Sequence, residues 1–374
     1  MFRTLLPNDE PVWLLARYSD VRRLLTDDNF VKNRLKVMSE TQRERQPWTP
    51  KMFRALERNM LDLDPPDHTR LKKLVQKVFT PLRVREMEER VTSLAEELLA
   101  KGSIGGSLDV VRDFALPLPL TIITEILGVP KEDQHKFHRW TQAVVSLDQF
   151  NPSIRALPSV WLFVRYLRRF FDQRRREPRD DLVSALIQAE EEGDQLSEDE
   201  LLAMVFLILV AGHETTVNLI SSGMLALLQN PDQLTRLRES PELIDPAVEE
   251  LLRFTSPVFL STERYAIDDL ELHGRTIPQG AMILGIIGSA NRDENVFDRP
   301  YELDVSRTPN KHLSFGHGTH FCLGAPLARL ETTIALRCLL QQFSRIDLST
   351  PPEDLRWRRS LVLRGLEELP ISVQ

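Results

Sequence analysis

Apolar positions recur at helical spacing in several stretches of the chain. Val84, Met87, Val91, Leu94 and Leu98 keep one face of a single helix. A second helix is expected to stop at Gly128 and Pro130, residue types that end helices. Residues 201–212 form a nearly unbroken apolar run that continues as His213, Glu214, Thr215, Thr216 and Val217. Its roughly twelve residues fall short of the ~20 needed to cross a bilayer, so the run predicts a buried central helix. Residues 336–340 form a further apolar helical stretch. Strand patterning is confined to 12–15 and 281–287, and residues 272–278 read as a turn-rich hairpin. Residues 151–158 and 177–181 read as loops, and the charged run Arg174, Arg175, Arg176 as a solvated helix end. The pattern predicts a mainly α (α+β) fold, rich in helices with a small sheet.

A length of 374 residues would suggest two or three domains on a prior of roughly 150 residues each. No linker, repeat or low-complexity segment divides them, so residues 1–374 are read as one domain. A net charge of −7 argues against nucleic acid as a partner. Two cysteines give no disulfide framework and cannot alone build a four-ligand zinc or iron–sulfur site. With no signal or anchor segment before residue 20, a soluble cytoplasmic protein without a membrane association is expected. Against the acidic balance, Arg70, Lys72, Lys73 and Lys77 form a local basic cluster without an acid among them. The plain reading of such a cluster is a solvated helix face.

The candidate chemistry concentrates around Cys322, in the run Phe315, Gly316, His317, Gly318, Thr319, His320, Phe321, Cys322, Leu323, Gly324. Glycine adopts backbone angles that other residues resist and lets the chain approach a flat ligand closely. A helical pattern beginning near Leu323 places the sulfur at a helix N-terminus, whose N–H groups favour a thiolate. An anionic sulfur aimed at a planar metal is haem ligation. Cys338, in an apolar stretch without glycines, is read as a small buried hydrophobe. Glu214 and two threonines inside an apolar helix are costly unless they serve a site. A zinc-protease helix is excluded, because its second histidine would fall at Val217. Glu250 and Arg253 share a helix face, a pairing that alone contributes only about 0.2–0.5 kcal/mol.

Residues 315–324 resemble the haem-ligand signature of the cytochrome P-450 superfamily at every fixed position, and the resemblance extends over nearly the whole chain. It is to soluble bacterial members, with a short N-terminus. It implies a helix-rich triangular prism with small β-sheets, holding haem b (iron protoporphyrin IX) between two helices with Cys322 as the axial ligand of the iron. Phe315, Gly316, His320 and Gly324 would contact the cofactor from the same loop. Residues 211–216 resemble the dioxygen-binding stretch of the helix on the opposite face. There, small Ala211 and Gly212 leave room for dioxygen, although a helical glycine gives up about 1 kcal/mol relative to alanine. The Thr215 hydroxyl bonds back to the carbonyl four residues earlier and assists dioxygen activation, and Glu214 relays protons from solvent. The haem carboxylates would be met by His68, Arg264 and His312, and by Lys72 where arginine is usual. Lysine offers a point charge rather than a fork, so a looser contact is expected there. Glu250 and Arg253 resemble the family's structural clamp, with Glu302 standing where a basic third member is common.

The activity so implied is a monooxygenase that hydroxylates or epoxidises a small apolar substrate, one oxygen atom entering the product and the other leaving as water. Leu207, Val210, Ala211, Val258, Phe259, Leu260 and Val362 would face the substrate, whose identity the segments 39–58 and 147–171 would decide. A separate ferredoxin and its reductase would supply two electrons to a monomer, docking on the basic cluster from Arg70 onward at the cysteine side of the haem. Met1 falls near the first sheet, so the family's usual leading helix is expected to be absent. Two rivals are a peroxygenase driven by hydrogen peroxide, which has no need of the Glu214–Thr215 pair, and a non-enzymatic haem-binding sensor, which has no use for a proton relay.

Overall fold

The computed structural model describes residues 1–39, 59–76, 79–134, 136, 137, 140, 157–191 and 196–374. Lys77, residues 151–156 of the loop expected over 151–158, residues 147–156 of the segment 147–171 and most of the segment 39–58 lie outside the described residues. The helix Leu157–Arg176 begins inside the stretch expected to be loop.

The central helix Glu198–Leu228 starts at a capping box: the Glu200 N–H donates to Ser197 Oγ, and the Ser197 N–H donates to Glu200 Oε2. At 31 residues it is much longer than the apolar run that announced it, and by length and composition it could cross a bilayer. The expected reason for rejecting a membrane span therefore fails, and burial supplies a better one. Most of its side chains are packed inside the fold, against the helices Pro117–Leu127, Ile244–Thr255 and Ala325–Gln342. These helices build one large hydrophobic cluster, and two smaller clusters lie at the main sheet.

That sheet has five strands in the order Phe2–Leu5, Pro11–Leu15, Met282–Gly285, Arg264–Ala266, Phe30–Val31. The two segments expected as strands pair with each other in parallel, Val12 opposite Met282 and Leu15 opposite Gly285. Ile287, expected to end the second strand, already opens the short helix Ile287–Ala290. The expected hairpin is present as Leu270–Leu272 and Arg275–Ile277, turning through His273 and Gly274 at positive φ. A three-stranded sheet joins Ser107–Asp109, Pro370–Val373 and Ile346–Leu348.

Two expectations are corrected. The apolar face from Val84 to Leu98 belongs to two helices, Pro81–Arg85 and Glu88–Gly102, with a break at Glu86 and Met87. Glu88 and Glu89 favour a new N-terminus there, because acids in a first turn complement the helix dipole. Arg174 is not a solvated residue. Its side chain is 1% exposed, with Nε donating to Asp181 Oδ2 at 2.7 Å and Nη2 donating to the Gly128 carbonyl. Gly128 stands at φ +80°, and a Cβ there would lie 2.1 Å from the Asp181 carboxylate. The αL helix end, the buried arginine and the aspartate thus form one joint between three helices.

Breaking a buried ion pair from one side leaves the other charge uncompensated, at a cost of about 3–5 kcal/mol. Arg174→Ala is expected to lose that much in denaturant unfolding, whereas Arg176→Ala, at an exposed position, changes stability by under about 0.5 kcal/mol.

Candidate functional site

The cysteine loop runs into the helix Ala325–Gln342. Gly316 and Gly318 both hold φ +71°, and a Cβ on Gly318 would lie 3.0 Å from the Leu25 carbonyl oxygen. Glycine there lets the loop lie against the end of the helix Tyr18–Thr26. The Cys322 N–H donates to the Phe315 carbonyl at 2.9 Å, closing the loop. Phe315 is roofed by the Arg329 guanidinium, 4.5 Å from the ring centroid, and Arg329 grips Glu249 through Nε at 2.6 Å and Nη2 at 2.9 Å.

Cys322 is exposed as a residue, while protein closely surrounds its thiol. The helix begins three residues past it, at Ala325, rather than near Leu323. Burial pushes the thiol pKa up, against the opposing pull of the Gly324 and Ala325 N–H groups, Arg329 and Lys72. The N–H groups at the helix end favour the thiolate as expected, but desolvation outweighs them. A coordinating metal would supply the missing stabilisation, because a thiol bound to one is deprotonated. Cys338 is buried in the main cluster, as expected.

Between Leu201 and Leu227 the central helix is buried except at Phe206, Leu207, Val210, Ala211, Gly212 and Thr215. Positions 207, 211 and 215 are four apart and share a face, so the accessible residues form one stripe. Phe206 was missed by the sequence reading, although it lies one turn before Val210. Thr215 Oγ1 donates to the Ala211 carbonyl at 3.1 Å, the expected back-bond. Gly212 differs from expectation. A Cβ there would lie 3.0 Å from Ile123, so its bareness seats the helix Pro117–Leu127, and the open side of the stripe belongs to Ala211.

Glu214 is only 2% exposed and points off the stripe. Arg358 Nη1 donates to its Oε2 at 2.6 Å, and His213 Nε2 lies 3.4 Å from its Oε1. Burial pushes the carboxyl up, but His213 and Arg358 together hold it below the usual carboxylate range.

Buried nitrogen donors gather beside the loop. His68 and His320 touch, with ring centroids 4.1 Å apart, and Arg264 projects from its strand close to both. His68 Nδ1 and Arg264 Nε are buried without a hydrogen-bond partner. Burial, then neighbouring Lys72 and Arg264, pushes His68 down to about 4; burial pushes Arg264 down to about 10. Burial, then Arg264 and His68, takes His320 to about 2. Lys32, buried and donating to the Glu263 carbonyl at 2.9 Å, joins this cluster and was missed from sequence; burial pushes it to about 8. Unpaired donors and mutually repelling cations are what a dicarboxylate such as haem would satisfy, so the residues fit that group.

Two expected carboxylate partners are used otherwise. Lys72 Nζ donates to the Thr319 carbonyl at 2.6 Å and to that of Phe321 at 3.4 Å, tying the helix Asp67–Gln76 to the cysteine loop. His312 lies 3.1 Å from Glu249 through Nε2, and its Nδ1 accepts the Ser314 N–H, so both ring nitrogens are engaged within the loop's support. The basic cluster is also less bare than its sequence: Arg70 pairs with Glu200, brought in by the central helix.

The clamp is as expected, with a different third member. Arg253 donates from Nε to Glu250 Oε2 at 2.7 Å and from Nη2 to Oε1 at 2.8 Å, and both side chains are 0% exposed. Arg307 Nε completes the clamp at 3.0 Å and 3.1 Å from the two Glu250 oxygens. Glu302 contributes only its carbonyl, which accepts from Arg253 and Arg307, while its side chain pairs at the surface with Arg299.

Of the other expected substrate-facing residues, Val258, Leu260 and Val362 lie on adjoining segments: Val258 bridges Leu363, and the Phe259 N–H donates to the Val362 carbonyl at 2.7 Å. The ring of Phe259 is set apart, packed on Gly288 and bordering a surface depression shared with Arg17, Arg292 and Tyr301.

The chain belongs to the cytochrome P-450 family, whose model, described as Cytochrome P450, matches residues 162–367. It is 44% identical over 371 residues to the polyketide biosynthesis cytochrome P-450 PksS of Bacillus subtilis, spanning 97% of this chain and 89% of that one. It is 41% identical to the cytochrome P-450 monooxygenase PikC of Streptomyces venezuelae, spanning 99% of this chain and 87% of PikC. A myxobacterial cytochrome P-450 crystallised with myristic acid superposes with a TM-score of 0.92 at 41% identity, covering 100% of this chain and 93% of that one. The protein is thus a cytochrome P-450 monooxygenase, an oxidoreductase that works with haem iron.

Proposed function

We propose that residues 1–374 act as one catalytic unit that inserts an oxygen atom into an apolar substrate, with Cys322 Sγ as the residue that would hold the iron of haem b. The observation that carries this reading is the exposed cysteine on its glycine-turned loop, flanked by buried donors without partners. Bound haem supplies the activation of dioxygen with two electrons; one oxygen atom enters a C–H or C=C bond and the other leaves as water. His68, Arg264 and His320 hold the haem carboxylates, with Lys72 acting on them through the loop it fastens.

The stripe of Leu207, Val210 and Ala211, with Val258, Leu260 and Val362, presents apolar surface that orients a substrate and excludes water. The fatty acid bound by the myxobacterial relative supports a long apolar substrate, and the hydroxylase/epoxidase acting on mycinamicin IV in Micromonospora griseorubida, 41% identical, supports either outcome at carbon. Thr215, on the stripe, offers its hydroxyl to the reacting oxygen, and Glu214 behind it supplies protons. Electrons come from a separate ferredoxin and its reductase in the cytoplasm, docking where exposed Lys73 borders the cysteine side.

The test combines a reduced carbon monoxide difference spectrum, substrate-induced spectral shifts across a small library, and product analysis with a ferredoxin system. Thr215→Ala is expected to lower product formation by roughly 10²-fold, the lower end of proton-transfer catalysis, while hydrogen peroxide release rises. Product formed by Thr215→Ala from hydrogen peroxide, with none from dioxygen and a donor, would establish a peroxygenase instead.

A further inference from the structure

We propose that the surface depression at Phe259 is a second ligand site, built for a small aryl monocarboxylate, whose occupant bears from outside on the wall that faces the substrate. The role of that wall rests on the monooxygenase reading above; the binding does not.

The depression spans about 330 Å³, at the lower end of the roughly 300–1,000 Å³ of small-molecule sites. Two arginines from separate segments line it. Arg17 stands between the strand Pro11–Leu15 and the helix Tyr18–Thr26, and Arg292 in the turn that follows the helix Ile287–Ala290. Among the described residues, neither pairs with a carboxylate. Arg292 is half-buried, and burial first, then Arg364 and Arg253, disfavours its charge. Arg253 has its counter-charge in Glu250, whereas Arg292 has none. Arg292 Nη2 donates to the Phe254 carbonyl at 2.7 Å, and its Nε and Nη1 make no hydrogen bond among the described residues. A half-buried guanidinium with free N–H groups calls for an anion, and its fork matches a carboxylate.

The neighbours narrow the class of anion. Asp293 also lines the depression, with Oδ2 accepting the Tyr18 N–H at 2.8 Å and Oδ1 accepting from the Asn295 N–H and Nδ2 at 3.0 Å and 2.9 Å. Burial pushes its carboxyl up, but those N–H groups and nearby Arg17 hold it below the usual carboxylate range, so it stays charged. A fixed negative charge beside the arginines favours a monoanion over a phosphate dianion. Phe259 and Tyr301 add aromatic rings, which suit a flat apolar body.

Phe259 links this site to the substrate side. A Cβ on Gly288 would lie 2.3 Å from its ring, and the Gly288 N–H donates to the Phe259 carbonyl at 3.2 Å. The Phe259 N–H donates in turn to the Val362 carbonyl, between Val258 and Leu260. An occupant resting on the ring therefore restrains the segment that carries those apolar side chains. By linkage, a ligand on the substrate side changes the affinity of the occupant by the same factor.

Benzoate is the probe, read by fluorine NMR on the full chain labelled with fluorotyrosine. The chain has four tyrosines, of which Tyr301 lines the depression, and Tyr301→Phe assigns its resonance. Benzoate is expected to shift that resonance with a dissociation constant on the order of 1 mM and to leave those of Tyr166 and Tyr265 in place. Benzamide, without the charge, and inorganic phosphate are expected to bind at least about 10-fold more weakly. Arg292→Gln is expected to weaken benzoate about 10- to 100-fold, and Arg17→Gln, at an exposed position, about 2- to 5-fold. A native Tyr301 resonance that benzoate does not move, or that benzamide or phosphate moves as readily, overturns the site even if Arg292→Gln does not fold. Unchanged benzoate affinity in a folded Arg292→Gln overturns it equally. For the link to the substrate side, the haem-loaded protein is titrated with phenylimidazole, an uncharged ligand of iron. Saturating benzoate is expected to change its dissociation constant at least about 5-fold in the native protein and not in Arg292→Gln. Equal constants in the native protein, or the same change in the variant, overturn the link. Failure of the monooxygenase reading would show separately, as a chain that takes up no haem while benzoate still moves the Tyr301 resonance.

Discussion

A Cys322→Ser chain is expected to fold, to lose the red-shifted carbon monoxide band of a sulfur-ligated ferrous haem, and to form no detectable oxygenated product. The loop around position 322 is held by its backbone and neighbours rather than by the side chain. The Cys322 N–H bonds to the Phe315 carbonyl, Gly316 and Gly318 make the turn, and Arg329 roofs Phe315. None of these involves the sulfur, so unfolding is expected within about 1 kcal/mol of native. The chemistry depends on the sulfur altogether. The site already pushes a thiol toward its neutral form by burial, and a serine hydroxyl starts many pKa units higher and lacks a polarizable donor atom. Cys338→Ser is the control, because Cys338 packs in the main cluster, and it should leave the band unchanged. A normal band in Cys322→Ser, or its loss in Cys338→Ser, would move the ligand elsewhere.

What could be read from the chain before its fold was known follows from the range of the interactions involved. The pair Glu250–Arg253 was legible because helical periodicity places side chains three apart on one face without outside help, whereas Leu207, Ala211 and Thr215 came from the resemblance. The turns at Gly128 and Gly274 were legible for the same local reason, since positive φ selects glycine. The helix break at Met87 was not, because apolar spacing runs through it and only capping preferences mark it.

The partners that decide charge were the least legible. Arg307 lies 57 residues from Glu250, and Arg358 lies 144 residues from Glu214. By resemblance the clamp's third, basic member was expected at position 302, where Glu302 stands instead; the tertiary path brings in Arg307 and leaves Glu302 its carbonyl. Arg174 was misread for a related reason. Three consecutive arginines look like a solvated end, yet they point about 100° apart on a helix, and one of them meets Asp181 and Gly128. His312 was nominated as a carboxylate partner by its place before the loop, but Glu249 and Ser314 occupy its ring nitrogens.

Glu250→Ala is expected to be the most destabilising single substitution in the clamp, by about 3–5 kcal/mol, because it strands two guanidinium groups at once. Glu250 accepts from Arg253, Arg307, the Asp304 N–H and Asn310 Nδ2, with neither it nor Arg253 exposed. Arg253 would keep the Asn291, Pro300 and Glu302 carbonyls, which satisfy its protons without neutralising its charge. Against a total stability of about 5–15 kcal/mol, such a loss is a large fraction. The surface pair Arg299–Glu302, 60% and 62% exposed, gives the scale from the other end, and Glu302→Ala should change stability by under about 1 kcal/mol. The clamp also reaches the site. Arg253 holds the Asn291 carbonyl, and the Asn291 side chain accepts the Leu313 N–H and donates to Ser314, directly before Phe315 and the cysteine loop. Loosening the clamp therefore loosens the loop that aims the sulfur. Denaturant unfolding and the rate of haem transfer to apomyoglobin should change together in Glu250→Ala and in Arg307→Ala, and stay native in Glu302→Ala. A Glu250→Ala chain of native stability that keeps its haem would separate the clamp from the site it is argued to brace.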